Sequence, residues 1–169
     1  KINNLIFYIK FMRLNFFIAI GILTLFVSCK DEDILFNEYI EISNSQLSYL
    51  DTIVFQTNIL DTSNTHNIFL QLRTSTDYKW SNMFVFSEIN FPNSKTRTDT
   101  FEIILMDKKG HWKGNKSGIM VNYNYSLYKN IKFPIKGKYK FRFVQAMRDT
   151  VLKEVKNLGL KITKPIKKL

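Results

Sequence analysis

An all-β fold is predicted for residues 38–169: an antiparallel two-sheet β-sandwich of jelly-roll or immunoglobulin-like type. Three observations predict it. Apolar residues recur with a period of two in one segment after another, the mark of half-buried strands. Clusters of Gly, Pro, Asn, Asp and Ser punctuate those segments. No long stretch of helical spacing intervenes, and strands that follow one another without crossover helices pair antiparallel.

The segments run in order along the chain. A weak strand is expected at residues 38–42. Residues 53–59, Ile-Val-Phe-Gln-Thr-Asn-Ile, alternate cleanly. In residues 67–73, Ile68, Leu70 and Leu72 share one face. Residues 83–89 follow. Residues 98–105 alternate less regularly, through Thr98, Thr100, Ile103 and Leu105. Another weak strand is expected near 126–133. In residues 138–144, Tyr139, Phe141 and Phe143 point one way and Lys138, Lys140 and Arg142 the other. Residues 158–162 close the domain, for roughly seven to nine strands in all. The breakers are residues 61–64, 91–94, 107–110 and 134–137, where Asn, Gly and Pro suit turn geometry. One short helix is expected at about 150–157, with Val151, Leu152 and Val155 on one side.

Upstream of this domain stands the chain's single cysteine, Cys29. The apolar run ending Leu25-Phe26-Val27-Ser28 precedes it, and Lys30-Asp31-Glu32-Asp33 follows. A lone thiol there has no internal disulfide partner. The run is shorter than the ~20 apolar residues of a spanning helix. Arg13 supplies the positive start and Ser28 the small residue of a cleavable signal. Cys29 is therefore expected to be the lipidation site of a bacterial lipoprotein, diacylated on sulfur after cleavage before it. Residues 1–28 are read as signal peptide, with Met12 as the natural start. Residues 29–37 are read as an acidic, lipid-anchored tether. Acylated Cys29 makes the membrane the first partner.

The chain carries 25 Lys and Arg against 14 Asp and Glu, a net charge of +11. Residues 1–28 hold Lys1, Lys10 and Arg13 and no acid, which leaves the remainder at about +8. The lysines are scattered through strand-like stretches, apart from a cluster at the extreme end. No nucleic-acid partner is expected.

Chemistry is hard to find. His66 and His111 stand far apart, in no metal-ligand spacing, and are expected in loops. No nucleophile elbow or phosphate loop occurs. Asp77, Asp99, Asp107 and Asp149 fall at predicted strand ends or loops, where aspartates cap turns. A pair of them acting as a glycosidase acid and base is the enzymatic reading. The expectation is no enzyme, no metal and no cofactor. Two aromatic groups, Tyr78 with Trp80 and Trp112 with the tyrosines downstream, suit either core lids or a contact surface.

Those residues also carry a resemblance. Arg73, Asp77-Tyr78, Ser81-Asn82, Phe86, Asp99-Thr100, Gly110-x-Trp112-x-Gly114, Gly137-x-Tyr139-x-Phe141, residues 145–149 (Gln-Ala-Met-Arg-Asp), Val155 and Gly159-Leu160 follow in the order seen in one family. From Glu38 onward the chain resembles GldH, the gliding-motility lipoprotein family of the Bacteroidetes. It departs at Leu47, where the family often has Trp. The resemblance implies an outer-membrane, non-enzymatic lipoprotein needed for gliding and its associated secretion machinery. The implied partners are other envelope proteins of that machinery. The run Asp31-Glu32-Asp33 resembles the signal that exports lipoproteins to the cell surface in this phylum. A surface glycan-binding module is the alternative, suggested by the fold class with Trp80 and Trp112. Tyr78, Trp80, Asn82, Trp112 and Arg148 are the binding residues expected from these arguments. Arg73 and Arg148 are expected to pair with Asp77, Asp99 or Asp149.

Overall fold

The computed structural model describes residues 33–165. The expected signal segment, Met12 and Cys29 lie outside the described residues. Among the described residues there are eleven strands: β1 (Ile34–Glu41), β2 (Gln46–Ser48), β3 (Ile53–Ile59), β4 (His66–Ser75), β5 (Asn82–Asn90), β6 (Thr96–Ile104), β7 (Asn115–Ser117), β8 (Met120–Ile131), β9 (Gly137–Gln145), β10 (Val151–Lys153) and β11 (Val155–Thr163). A single 3-10 turn spans Ser43–Ser45.

One sheet runs β1-β11-β4-β8-β7 and the other β3-β9-β5-β6, with β2 and β10 as a small separate pair. Eight of the strands are long, and their antiparallel pairing is nested. β1 pairs with β11, β3 with β9, β4 with β8, and β5 with β6. This is one long hairpin wrapped onto itself, so that successive pairs fall alternately in the two sheets. That wrapping is the jelly-roll, and it decides between the two sandwich types left open by the sequence.

The strands form where the alternation sets them. In β9, Tyr139, Phe141 and Phe143 are buried while Lys138, Lys140 and Arg142 are exposed. In β4, Ile68, Leu70 and Leu72 face the core. Edge-to-face ring contacts join the sheets, with Phe36 of β1 6.4 Å from Phe55 of β3 and Phe101 of β6 5.4 Å from Tyr128 of β8. Gly159 of β11 is needed for a close approach. A Cβ there would stand 2.7 Å from the Tyr39 ring and 2.9 Å from the Glu38 carbonyl oxygen.

Four expectations are corrected. The helix at 150–157 is absent. Val151, Leu152 and Lys153 alternate exposed, buried, exposed in β10, and Leu152 pairs with Leu47 of β2. Glu154 then takes φ +68°, which ends β10 and turns the chain into β11. Eight residues are too few for a helix to hold itself, and strand pairing prevails. Residues 34–37, read as part of the tether, belong to β1 and pair with β11. Within β6, Thr98 and Thr100 face solvent while Ile103 is buried, so they do not share a face with it. Asp99 lies in the middle of β6 rather than at its end. The short strands β2, β7 and β10 were not foreseen.

Register also fixes the two ends of the sandwich. At one end, Ile34 is level with Thr163 and Asn67. At the other, Glu41 is level with Asn157 and Arg73, close to Ser75, where β4 leaves for the 76–81 loop. The described chain thus enters at the end opposite that loop.

Candidate functional site

Two loops build a surface at this far end. The 76–81 loop leaves β4 through Ser75, whose hydroxyl donates to Glu154 Oε2 (2.7 Å) and accepts from the Asp77 amide (3.1 Å). Tyr78 then turns inward, is 3% exposed, and its hydroxyl meets the Asn82 carbonyl at 3.4 Å. Burial, aided by Asp149 nearby, pushes its phenol well above the ordinary range. Lys79 points out, with its ammonium 4.5 Å from the Trp80 ring centre. Trp80 is half-buried, and its indole N–H donates to Asp149 Oδ2 at 3.1 Å.

The second loop, 146–150, is closed around one buried side chain. Gln145, 2% exposed, donates through Nε2 to the carbonyls of Asp149 (2.9 Å) and Thr150 (3.4 Å). Its Oε1 accepts from the Met147 amide (2.8 Å). The Ala146 amide donates to the Phe84 carbonyl, and the Phe84 amide meets Met147 Sδ at 3.2 Å. The Tyr49 amide donates to the Thr150 carbonyl, which brings the β2–β3 turn alongside. The Ala146 and Met147 amides and the Asp149 and Thr150 carbonyls are thus all engaged, and Arg148 lies exposed between them.

Three hollows meet around these loops. One of about 450 Å³ lies between residues 77–80 and 149–154. A second of about 370 Å³ is lined by Trp80, Asn82, Phe84 and residues 146–149. The third, about 310 Å³, lies between Tyr49, Phe86 and residues 145–150. Phe86 and Tyr49 are about half exposed, at 49% and 51%. Arg148 is exposed, and its guanidinium pairs with no carboxylate among the described residues. A surface with exposed aromatic side chains, hollows and an unpaired guanidinium is fitted to contact rather than to solvation alone.

The predicted site residues fare differently. Trp80, Asn82 and Arg148 come together here. Tyr78 is buried with the core cluster rather than exposed, and it lines the floor of the first hollow. Asn82 donates to Glu102 Oε1 at 2.7 Å on the outer face of the β5–β6 pair. Trp112 lies apart, half-buried against the core beside an isolated bridge to Met106. The expected arginine pairs are not formed. Arg73 donates to the Asn122 amide oxygen at 2.7 Å, while Asp99 is taken by Arg97 (2.6 Å) and the Tyr128 hydroxyl (2.5 Å). Both arginines are exposed, and an exposed guanidinium needs no carboxylate. Sequence reasoning missed Phe86 and Tyr49 as exposed aromatics. A signal existed for Phe86: β5 carries apolar residues on both faces, Met83 and Val85 inward, Phe84 and Phe86 outward.

The histidines also divide. His111 lies in a loop, with Nδ1 3.1 Å from Asp107 Oδ2. His66 does not: it opens β4, is fully buried against the Phe133 ring at 5.2 Å, and neither ring nitrogen has a partner. Burial lowers its pKa below the ordinary 6.5; Asp61 and Asp33 pull the other way, and Lys164 adds to the lowering. The folded state therefore holds the neutral ring, while the unfolded chain takes a proton below 6.5. Stability is complete above that pH and is lost as pH falls through and below it, by up to about 1.4 kcal/mol per pH unit. Melting curves between about pH 8 and pH 5 should show this slope. His66→Phe should remove it, and an unchanged slope in that variant would refute the assignment.

A jelly-roll domain with a cluster of hollows at the end remote from Ile34 is the class these features define. Residues 34–162 match the GldH lipoprotein family, and the chain belongs to that family. The gliding motility lipoprotein GldH homolog of Christiangramia forsetii is 34% identical over 133 residues, 78% of this chain and 80% of that protein. The gliding motility lipoprotein GldH of Flavobacterium johnsoniae is 30% identical over 127 residues, 75% and 77% of the two chains. Among solved structures, that of the infectious bursal disease virus Gx strain aligns with TM-score 0.36 and 15% identity, over 80% of this chain and 34% of that one. Nothing is carried over at that level of similarity.

Proposed function

We propose that the protein is a lipid-anchored, non-enzymatic component of the gliding-motility apparatus and its associated secretion machinery. It sits on the outer membrane and acts through protein–protein contacts. Membership of the GldH lipoprotein family and the names of the two relatives support the motility role. The observation that carries the contact reading is the trio of hollows around Trp80, Met147 and Arg148. Its position adds to this. The hollows lie at the end of the sandwich opposite Ile34, which is the described residue of β1 nearest in sequence to Cys29.

Phe86→Asp tests the reading, because Phe86 is half exposed on the outer sheet face and its replacement should cost on the order of 1 kcal/mol, leaving the domain folded. In a gliding strain deleted for its own family member, the wild-type chain should restore colony spreading and Phe86→Asp should not, with both proteins folded and present at equal levels. Spreading by the variant equal to wild type would overturn the proposal. Trp80→Ala is a less clean probe, since Trp80 also packs against the core.

Glycan binding at the cell surface is the second reading. The open groove of about 470 Å³ favours it, lined by Lys113, Asn115, Asn122, Asn124 and Tyr125 beside Ile103 and Ile104. Planar amides and a tyrosine suit sugar hydroxyls and faces. Retention on a glycan array, lost in Asn124→Ala, would support it.

A further inference from the structure

We infer that the hollows on either side of Arg148 receive an extended, acidic peptide segment of the partner, with a carboxylate held by Arg148 and apolar side chains seated to its left and right. This rests on the contact reading above and adds the chemistry of what is bound. Three observations carry it.

The first is the arginine itself. Arg148 is the tip of a loop stapled from beneath by Gln145, so its backbone is already ordered before any partner arrives. Its guanidinium pairs with no carboxylate of the described residues, while the neighbouring Asp149 is occupied by the Trp80 indole. A planar fork of donors presented in this way is complementary to a carboxylate, which it can grip at two points.

The second is what flanks it. One hollow is walled by Tyr49 and Phe86, the other by Trp80, Phe84 and Met147, and both include Arg148 in their lining. Both walls are apolar or aromatic, and methionine adapts to varied side-chain shapes. Asp149 also lines both hollows, but its Oδ2 is taken by the Trp80 indole, so Arg148 presents the unpaired charged group between the two seats. Free phosphate would use the arginine and leave both seats empty; an uncharged apolar segment would fill the seats and leave the arginine unmet.

The third is spacing along the ligand. In an extended chain, side chains of like direction recur at every second residue. A segment that lies across the loop and fills both hollows around the guanidinium has the form apolar-x-acidic-x-apolar. The loop is held rigid, so little ordering is demanded of the protein, and preorganisation favours affinity for a short segment.

The test uses the full chain in detergent micelles and a panel of synthetic peptides. The peptides share Phe-Ser-Asp-Ser-Leu as the central pattern, with Asp replaced by Asn or Lys, or with both apolar residues replaced by Ser. The Asp peptide should bind, and the Asn and Lys forms should bind at least about tenfold more weakly, as should the form without apolar residues. Arg148→Glu, an exposed substitution, should reverse the order in favour of the Lys peptide at unchanged melting temperature. Equal binding of the Asp, Asn and Lys peptides, binding unaffected by Arg148→Glu, or no binding of any peptide would overturn the inference. The two readings fail separately. If Phe86→Asp abolishes spreading while the peptides show no preference for the acid, the contact surface stands and the acidic-segment ligand falls. If the peptides bind as expected while Phe86→Asp spreads normally, the ligand stands and the motility role of this surface falls.

Discussion

Phe141→Ala should lower stability by about 3–5 kcal/mol, enough to unfold much of a domain whose total is of order 5–15. Phe141 is 1% exposed and lies mid-strand in β9, level with Phe55 of β3 on one side and Ile89 of β5 on the other. Phe143, the next inward residue, meets the Phe55 ring edge-on at 6.1 Å. Tyr139, the inward residue before it, is packed between Phe133 at 4.9 Å and Phe91 at 5.4 Å. Removing the central ring of this row leaves a void that its neighbours cannot fill, because each is fixed by its own strand. Lys140→Ala, one residue away on the outer face, should shift stability by no more than about 0.5 kcal/mol. Urea unfolding of both variants gives the comparison: a lower midpoint with unchanged slope for Phe141→Ala, and little shift for Lys140→Ala. Equal midpoints would mean that β9 does not face the core as the register places it.

Cys29→Ser should move the protein from the membrane to the soluble fraction, or leave it as an unprocessed precursor of higher mass. Each buried methylene contributes about 0.8 kcal/mol, so two acyl chains on one residue give stable attachment where a single chain is marginal. Attraction of basic side chains to anionic headgroups is the competing cause of membrane association. It is screened by salt, whereas an acyl anchor is not. The wild type should therefore stay with the membrane in high salt, and the variant should not. A variant that remains membrane-bound in high salt at wild-type mass would show that Cys29 is not the anchor.

Much of the fold could be read from the chain because a strand's pattern is local. Alternation in residues 53–59 and 138–144 is set by which neighbours are apolar, and β3 and β9 fall within a residue of those bounds. The failures share a cause as well. At residues 150–157 the same Val and Leu spacing serves a helix or two kinked strands, and the choice was made by Leu47 of β2, more than a hundred residues away. His66 carries no local sign of burial; the Phe133 ring that covers it comes from a distant turn. Tyr78 and Trp80 are two residues apart in one loop, yet the first is buried and the second only half-buried, because no strand alternation governs the chain between β4 and β5.

The sequence by itself determined an all-β domain, its principal strands, the inward rows of β4 and β9, and the resemblance to a lipoprotein family that the comparisons bear out. These depend on residue type and on spacing between near neighbours. Only the tertiary structure decided that the sandwich is a jelly-roll, that Arg148 lines both the hollow of Tyr49 and Phe86 and the hollow of Trp80, and that these lie at the end remote from Ile34. Those four residues come from four separate segments. Their meeting is fixed by the order in which a wrapped hairpin lays its strands into two sheets, and that order is a sum of many distant pairings that no single stretch of chain records.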